Sequence, residues 1–173
     1  MESVIPTDVL LTIAEVAIAV LGFAAIVTAL RRKSAQRADL LTRFRLGIMI
    51  QASTAVLLFS FLPFVFRAAG LQESSVASVS SAMFAVALAI LGGRAFARQR
   101  VQFGGLFLPE TRLFDVCLIA SAVLLIGALS LRSAGLVPQL GFSPYVLALL
   151  FALFGGVQAF VRIVFFAGDS DNQ

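Results

Sequence analysis

A single carboxylate interrupts the first apolar run of the chain. Glu15 is the one charged residue in TIAEVAIAVLGFAAIVTAL, residues 12–30. It lies about 10 Å from the N-terminal end of its predicted helix, at 1.5 Å per residue. An unpaired carboxylate at that depth in a membrane costs about 2.5–3.5 kcal/mol. We therefore expect Glu15 to face neighbouring helices, either ionised and paired with an arginine, or desolvated and able to exchange a proton as in proton-coupled transport.

Several polar residues lie at a depth where they could meet this carboxylate. Ser60, Ser78 and Ser81 belong to the second and third apolar runs, and Arg67 and Arg132 lie nearer the membrane surface. Pairing with either arginine would make the carboxylate structural. Serine neighbours alone would leave it uncharged and available for proton transfer. These two interpretations remain open at the level of sequence.

A second polar group is predicted near the opposite membrane surface. It consists of Gln51, Asp115, Gln158 and Arg162. Gln158 and Arg162 are four residues apart and share one helix face. Asp115 lies at a similar depth on the preceding antiparallel helix, so we expect an ion pair with Arg162 that locks these two helices together. The alternative is an ion or anion vestibule lined by Arg94 and Arg162.

The residue types that most enzymes need are scarce. The chain has no histidine and a single cysteine, Cys117, so the commonest general base and the usual zinc and haem ligands are missing. No phosphate-binding glycine-rich loop and no GxSxG motif is present. We predict no enzymatic activity, no metal site and no cofactor, and a membrane-embedded enzyme is the least favoured function.

The composition defines the elements that carry these residues. Of 173 residues, 60% are hydrophobic and 13% are charged, and the mean hydropathy is +1.02. These values are typical of an integral membrane protein. Because a chain in lipid must satisfy its own backbone, we predict a bundle of five transmembrane α-helices in one domain, residues 1–173. The predicted spans are about 9–30, 46–66, 76–97, 113–131 and 145–166.

The basic residues predict the orientation of this bundle. Six lie between the first two spans, and four more run from Arg94 near the end of the third span to Arg112 before the fourth, whereas only Arg67 and Arg132 lie at the other surface. The positive-inside rule then places the N-terminus outside and the C-terminus in the cytoplasm. We expect the plasma membrane, as the inner membrane of a bacterial cell. The net charge of +4 is explained by these loops and does not require a nucleic-acid partner.

Two segments resemble each other in sequence. Residues 42–59 and 111–127 both begin Thr-Arg and continue through Ala-Ser to Ala-Val-Leu-Leu, with one residue more between these motifs in the first copy. A parallel repeat of spans 1–2 and 3–4, with the fifth helix appended, would explain this pattern. The alternative is convergence, since alanine, valine and leucine dominate any membrane helix.

Small residues recur at helical spacing in two spans, where they predict close packing against other helices. In the first span the stripe is Glu15, Ala19, Gly22, Ile26 and Ala29, and in the third it is Ser74, Ser78, Ala82, Ala85, Ala89 and Gly92. Gly155 and Gly156 predict either a further close helix crossing or a local weakness in the fifth span. Pro63 predicts a bend in the second span.

These features favour two functions. The first is an oligomeric channel or transporter for a small solute or ion, because five short helices enclose little space alone. The second is a membrane accessory or scaffold protein that binds another membrane protein through its small-residue faces. The sequence predicts the lipid bilayer and a second copy, or another membrane protein, as partners.

Overall fold

The computed structural model describes the backbone of residues 6–32, 40–103, 112–134, 136 and 141–166. Side chains are described for residues 6–29, 46–73, 75–97, 119–134, 136 and 141–161. The described backbone is helical apart from short turns, with no strand in these ranges, which confirms the predicted all-α class. The helices are α1 (Thr7–Arg32), α2 (Leu40–Ala68), α3 (Glu73–Phe103), α4 (Arg112–Ser133) and α5 (Ser143–Phe166).

Four of these helices contain an apolar stretch long enough to cross a membrane. The stretches are Thr7–Ala29, Leu46–Ala68, Ser75–Ala97 and Ser143–Val161. Within the described side chains of α4 the apolar stretch Ile119–Ser133 is shorter. The helix itself has 22 residues, or about 33 Å at 1.5 Å per residue. The chain therefore has the helices of a multi-pass membrane protein, whereas a fifth crossing and the orientation of the termini stay predictions.

The outer surface of the bundle is apolar, as a lipid-facing surface must be. Leu124 is 74% exposed, Leu58 is 63% exposed and Phe23 is 58% exposed. Contiguous exposed apolar surface on this scale is rare on monomeric soluble proteins. The exposed side chains thus agree with the hydropathy of the helices.

Helix α5 occupies the centre of the bundle and contacts all four other helices. Helices α1 and α2 pack against each other, as do α3 and α4. The largest fully buried side chains of the core include Tyr145, Phe84, Leu10 and Leu149. The helix that the repeat hypothesis treats as an appendage therefore contacts all four other helices, and the repeat itself stays a prediction.

The connection between α2 and α3 is a tight glycine turn. The Gly70 amide donates to the Arg67 carbonyl at 3.0 Å, and the Leu71 amide donates to the Phe66 carbonyl at 3.2 Å. This is the Schellman pattern, which requires a left-handed residue after the helix. Gly70 supplies it with a φ of 84°, a conformation that costs glycine little.

Pro63 lies inside α2, and the helix continues past it to Ala68. Proline has no amide hydrogen, so the carbonyl of Phe59, four residues earlier, loses its helical donor. The Tyr145 hydroxyl on α5 donates to this Phe59 carbonyl at 2.5 Å. Since lipid supplies no hydrogen-bond donor, this contact satisfies a carbonyl that would otherwise be orphaned in the membrane. The bend expected at Pro63 stays a prediction.

Helices α2 and α5 are in direct contact at Gly156. A Cβ atom added to Gly156 would lie 3.5 Å from the Ala52 Cβ, 3.6 Å from the Ser53 Oγ and 3.7 Å from the Met49 carbonyl oxygen. A Cβ added to Gly155 would meet nothing within 4 Å. The close crossing predicted from this glycine pair is confirmed at Gly156 alone, because only that glycine faces α2.

Replacing Tyr145 with phenylalanine tests the proline-linked hydrogen bond. We expect Tyr145→Phe to lower the free energy of unfolding in bicelles by about 0.6–1.7 kcal/mol, the range measured for hydrogen bonds between membrane helices. In a Pro63→Ala background the helix regains the amide donor for Phe59, so the same replacement should cost less. An equal cost of Tyr145→Phe in both backgrounds would contradict the proposed link between the two residues.

The glycine pair offers a matched test of the α2–α5 crossing. We expect Gly156→Leu to force these helices apart and to cost about 1–3 kcal/mol through overpacking. Gly155→Leu places the same side chain in open space and should leave the stability within about 0.5 kcal/mol. Thermal unfolding in detergent, followed by circular dichroism, compares the two variants. Equal destabilisation would show that the crossing lies elsewhere.

Candidate functional site

Glu15 lies on the outside of the single chain. Its side chain is exposed, at about 12 Å along α1 from Thr7. The face of α1 that packs against the other helices is the opposite one, with Leu10, Ile13, Ala14, Ala17 and Ala24 buried. The expectation that Glu15 faces other helices of the same chain is therefore wrong.

Neither arginine considered as a partner pairs with this carboxylate. The Arg67 Nη2 lies 3.4 Å from the Glu73 Oε1 and bridges the end of α2 to the start of α3. Arg132 is buried at 6% exposure near the end of α4. No hydrogen bond or ion pair joins Glu15 to any residue that the structure describes. The predicted pairing of Glu15 with Arg67 or Arg132 is therefore also wrong.

The small-residue stripe of α1 is exposed along its whole length. Every member lies on the outer face, namely Glu15, Ala19, Gly22, Ile26 and Ala29. A Cβ added to Gly22 would meet nothing within 4 Å. The prediction that this stripe packs against protein thus fails within one chain. The cause is that α1 is apolar on both sides, so its hydropathy does not identify the buried side.

The stripe of α3 is divided between the interior and the surface. Ala85 is buried, Ser78 and Ala82 are half-buried, and Ala89 and Gly92 are exposed. Ser74 has its side chain outside the described residues. Only the first part of this stripe therefore meets other helices of the chain, as predicted.

The serines form the buried polar part of the structure. Ser60 and Ser81 are 1% and 2% exposed. Sequence reasoning missed Ser53 and Ser80, which are fully buried. Ser53 precedes Ser60 by seven residues, two helical turns, and this spacing could have identified it. The Oγ atoms of Ser53, Ser60 and Ser80 have no hydrogen-bond partner among the described residues.

The inner polar group is only partly within the described residues. The side chains of Asp115 and Arg162 lie outside them, so the predicted ion pair stays a prediction. Gln158 is half-buried on α5 and Gln51 is exposed on α2. Gln51 lies about 160° around α2 from Ser53, which faces α5. The expectation that Gln51 joins Gln158 in one cluster is therefore wrong, because α2 separates them.

Gln51 instead faces a groove between α2 and α3. The groove has a volume of about 430 Å³ and is lined mostly by aliphatic side chains. Its polar lining residues are Gln51 and Thr54, both exposed. At one end Phe59 closes it by packing on Phe84, with ring centroids 4.8 Å apart. We refer to this space as the α2–α3 groove.

The fold and the comparisons with known proteins define only a broad class. Among the described residues, no group of three or more cysteine, aspartate or glutamate side chains lies together as a metal site would require. No protein-family model matches the chain, and no curated protein and no solved structure matches it either. The described helices are those expected of a multi-pass α-helical membrane protein, and the function must be argued from the surfaces of the chain itself.

The unpartnered hydroxyls predict an unusual response to mutation. Burying a hydroxyl without a hydrogen bond costs about 1–3 kcal/mol. We therefore expect Ser60→Ala to leave the unfolding free energy unchanged or to raise it by about 1 kcal/mol. Tyr145→Phe, which removes a partnered hydroxyl, is the matched control measured in the same bicelles. A clear destabilisation by Ser60→Ala would mean that the Ser60 hydroxyl has a partner, such as a buried water molecule.

Proposed function

We propose that this protein works as a homo-oligomer in the plasma membrane of a bacterial cell and admits a proton or small cation between its copies. The observation that carries the proposal is Glu15, an exposed carboxylate without a partner among the described residues. It lies on a stripe of small residues that also faces outward. The role is passage and binding rather than catalysis, given the missing histidine.

The energetics of the bilayer favour covering this stripe with protein. A carboxylate facing acyl chains costs about 2.5–3.5 kcal/mol on insertion scales. Covering it with another helix replaces lipid by groups that can hydrogen-bond. Ala19 and Gly22 leave room for that helix, because small residues allow two backbones to approach closely. The carboxylate of this stripe therefore favours association with another helix, and its small residues allow that helix to approach closely.

A second copy of the chain is the partner that fits an ion-conducting role. In a twofold dimer the same face meets itself, so Glu15 of one copy lies across from Glu15 of the other. Two carboxylates close together in a low dielectric cannot both be ionised without a large penalty. Such a pair would hold a proton or a small cation between its oxygens. This is the property expected of a group that passes cations through a membrane.

The packing of the single chain supports a path between copies rather than through one copy. The interior of the described bundle is filled by Tyr145, Phe84, Leu149 and Leu10, which are all fully buried. An ion would find few polar groups to replace its hydration shell there. An interface lined by Glu15 offers a carboxylate at about 12 Å from the start of α1.

An accessory role is the second candidate, and the same filled interior favours it. A protein with no path of its own could use the α1 stripe to bind a helix of a different membrane protein. A partner helix with a lysine or arginine at the depth of Glu15 would then satisfy the carboxylate. In this case the surface is the same and only its occupant differs.

Cysteine cross-linking in native membranes tests the assembly face. In a Cys117→Ser background we expect Ala19→Cys to form disulfide-linked dimers of the chain as its main product. Leu124→Cys, on the exposed face of α4, is the control and should give only traces. Adding Gly22→Leu should weaken the Ala19 cross-link, because the larger side chain holds the helices apart. Absence of the Ala19 cross-link would contradict association through this face.

Ion passage is tested separately by reconstitution. Vesicles containing the full chain are expected to dissipate a pH or cation gradient, and Glu15→Gln should abolish this flux while preserving the Ala19 cross-link. A dimer that passes no ion would exclude the channel and leave a homo-oligomeric scaffold. Cross-linking of Ala19→Cys to a different membrane protein would support the accessory role and exclude the homo-oligomer.

A further inference from the structure

The α2–α3 groove opens on the lipid-facing side of the bundle, away from the proposed α1 interface. On α2 it is lined by Ile50, Leu58 and the two polar residues Gln51 and Thr54, and on α3 by Ile90 and Leu91. Its volume is about 430 Å³. The α2 side of the groove is opposite the α2 face that contacts α5 at Gly156. The groove is thus a surface feature that the helices of the described chain leave uncovered.

A positive charge lies beyond one end of the groove. Arg94 is exposed, and it follows Ile90 by four residues and Leu91 by three, so it continues the groove stripe of α3. It lies three residues before Ala97, the end of the apolar stretch of α3, which is the level of lipid headgroups. Gly47 lies opposite Arg94 on the antiparallel helix α2, one turn before Gln51. A Cβ added to Gly47 would meet nothing within 4 Å, so this position leaves open space.

We propose that the α2–α3 groove binds one anionic phospholipid, with an acyl chain along its aliphatic walls and the headgroup phosphate on Arg94. Along α3 the distance from Ala87 to Arg94 is about 10 Å, most of the half-thickness of a bilayer. The Arg94 guanidinium presents a planar fork of donors that matches the oxygens of a phosphodiester. The Gln51 amide and Thr54 hydroxyl can hydrogen-bond to the glycerol ester oxygens.

The positive charge near the α2–α3 groove favours an anionic lipid over a second copy of the chain as the occupant of the groove. Most of the arginines lie toward this end of the helices. Docking another copy here would bring these like charges together, whereas an anionic headgroup neutralises them. Basic surfaces between helices on the cytoplasmic side are where anionic headgroups commonly bind.

Native mass spectrometry of the purified full-length chain tests the proposal. The protein is exchanged into detergent with phosphatidylglycerol or with phosphatidylcholine of the same acyl chains, and the retained lipids are counted. We expect one phosphatidylglycerol to be retained about fivefold better than phosphatidylcholine, the contribution of one arginine near an anionic headgroup. Arg94→Gln should remove this preference. Arg67→Gln, an exposed arginine at the opposite end of the bundle, should leave it intact.

A second pair of variants tests the groove itself. Ala87 lines the groove, whereas Ala89 is exposed and does not line it. We expect Ala87→Phe to fill the groove and abolish retention of both lipids, and Ala89→Phe to retain them. Circular dichroism checks that both variants keep their helical content.

Three results would overturn the proposal. They are equal retention by the two phenylalanine variants, equal effects of Arg94→Gln and Arg67→Gln on the lipid preference, and a change of oligomeric state in Ala87→Phe without a change in bound lipid. The last result would make the groove a contact between copies. Arg94 is exposed, so we expect Arg94→Gln to fold. This variant still tests the proposal if Ala87→Phe fails to fold. None of these readouts depends on the α1 interface, so the two proposals can fail separately.

Discussion

A membrane offers no hydrogen-bond donor to a backbone carbonyl, and this constraint organises the core of the protein. Pro63 leaves the Phe59 carbonyl without its helical donor, and the Tyr145 hydroxyl supplies the replacement from α5. The contact fixes how α5 is rotated against α2. It also brings the Tyr145 ring edge-on to Phe84 and Phe142, with ring centroids 5.6 and 6.3 Å apart, an arrangement that aromatic quadrupoles favour.

Once α5 and α2 are fixed at this level, the rest of their contact follows. Gly156 lies about three turns further along α5 and allows close approach to Ala52 and Ser53. The face of α2 that is turned toward α5 then carries the buried serines, and the opposite face carries Gln51. That division explains why the polar residues of α2 do not form one site. It also leaves the α2–α3 groove on the outer surface of the bundle.

The exposed Glu15 is the basis of the proposed assembly with a second protein chain. A charged group at this depth is costly in any environment that lacks partners. The described chain gives it none, and it sets Glu15 on a helix face shaped for close approach. The proposed interface and the proposed lipid groove lie on different helices. Each can therefore be occupied without blocking the other.

The sequence by itself determined the helices, because long apolar runs in lipid must satisfy their own backbone. It also predicted a close helix crossing at Gly155 and Gly156, which the structure confirms at Gly156. Only the tertiary structure decided which side of each helix is inside. Between residues 13 and 27, helix α1 is apolar all round apart from Glu15, so the pattern of this segment has no preferred face, and charge alone wrongly favoured the interior. The missing donor at Pro63 could be read from the sequence, but its replacement, Tyr145, comes from a residue 86 positions away from Phe59, and only the packing of α5 brings the two together.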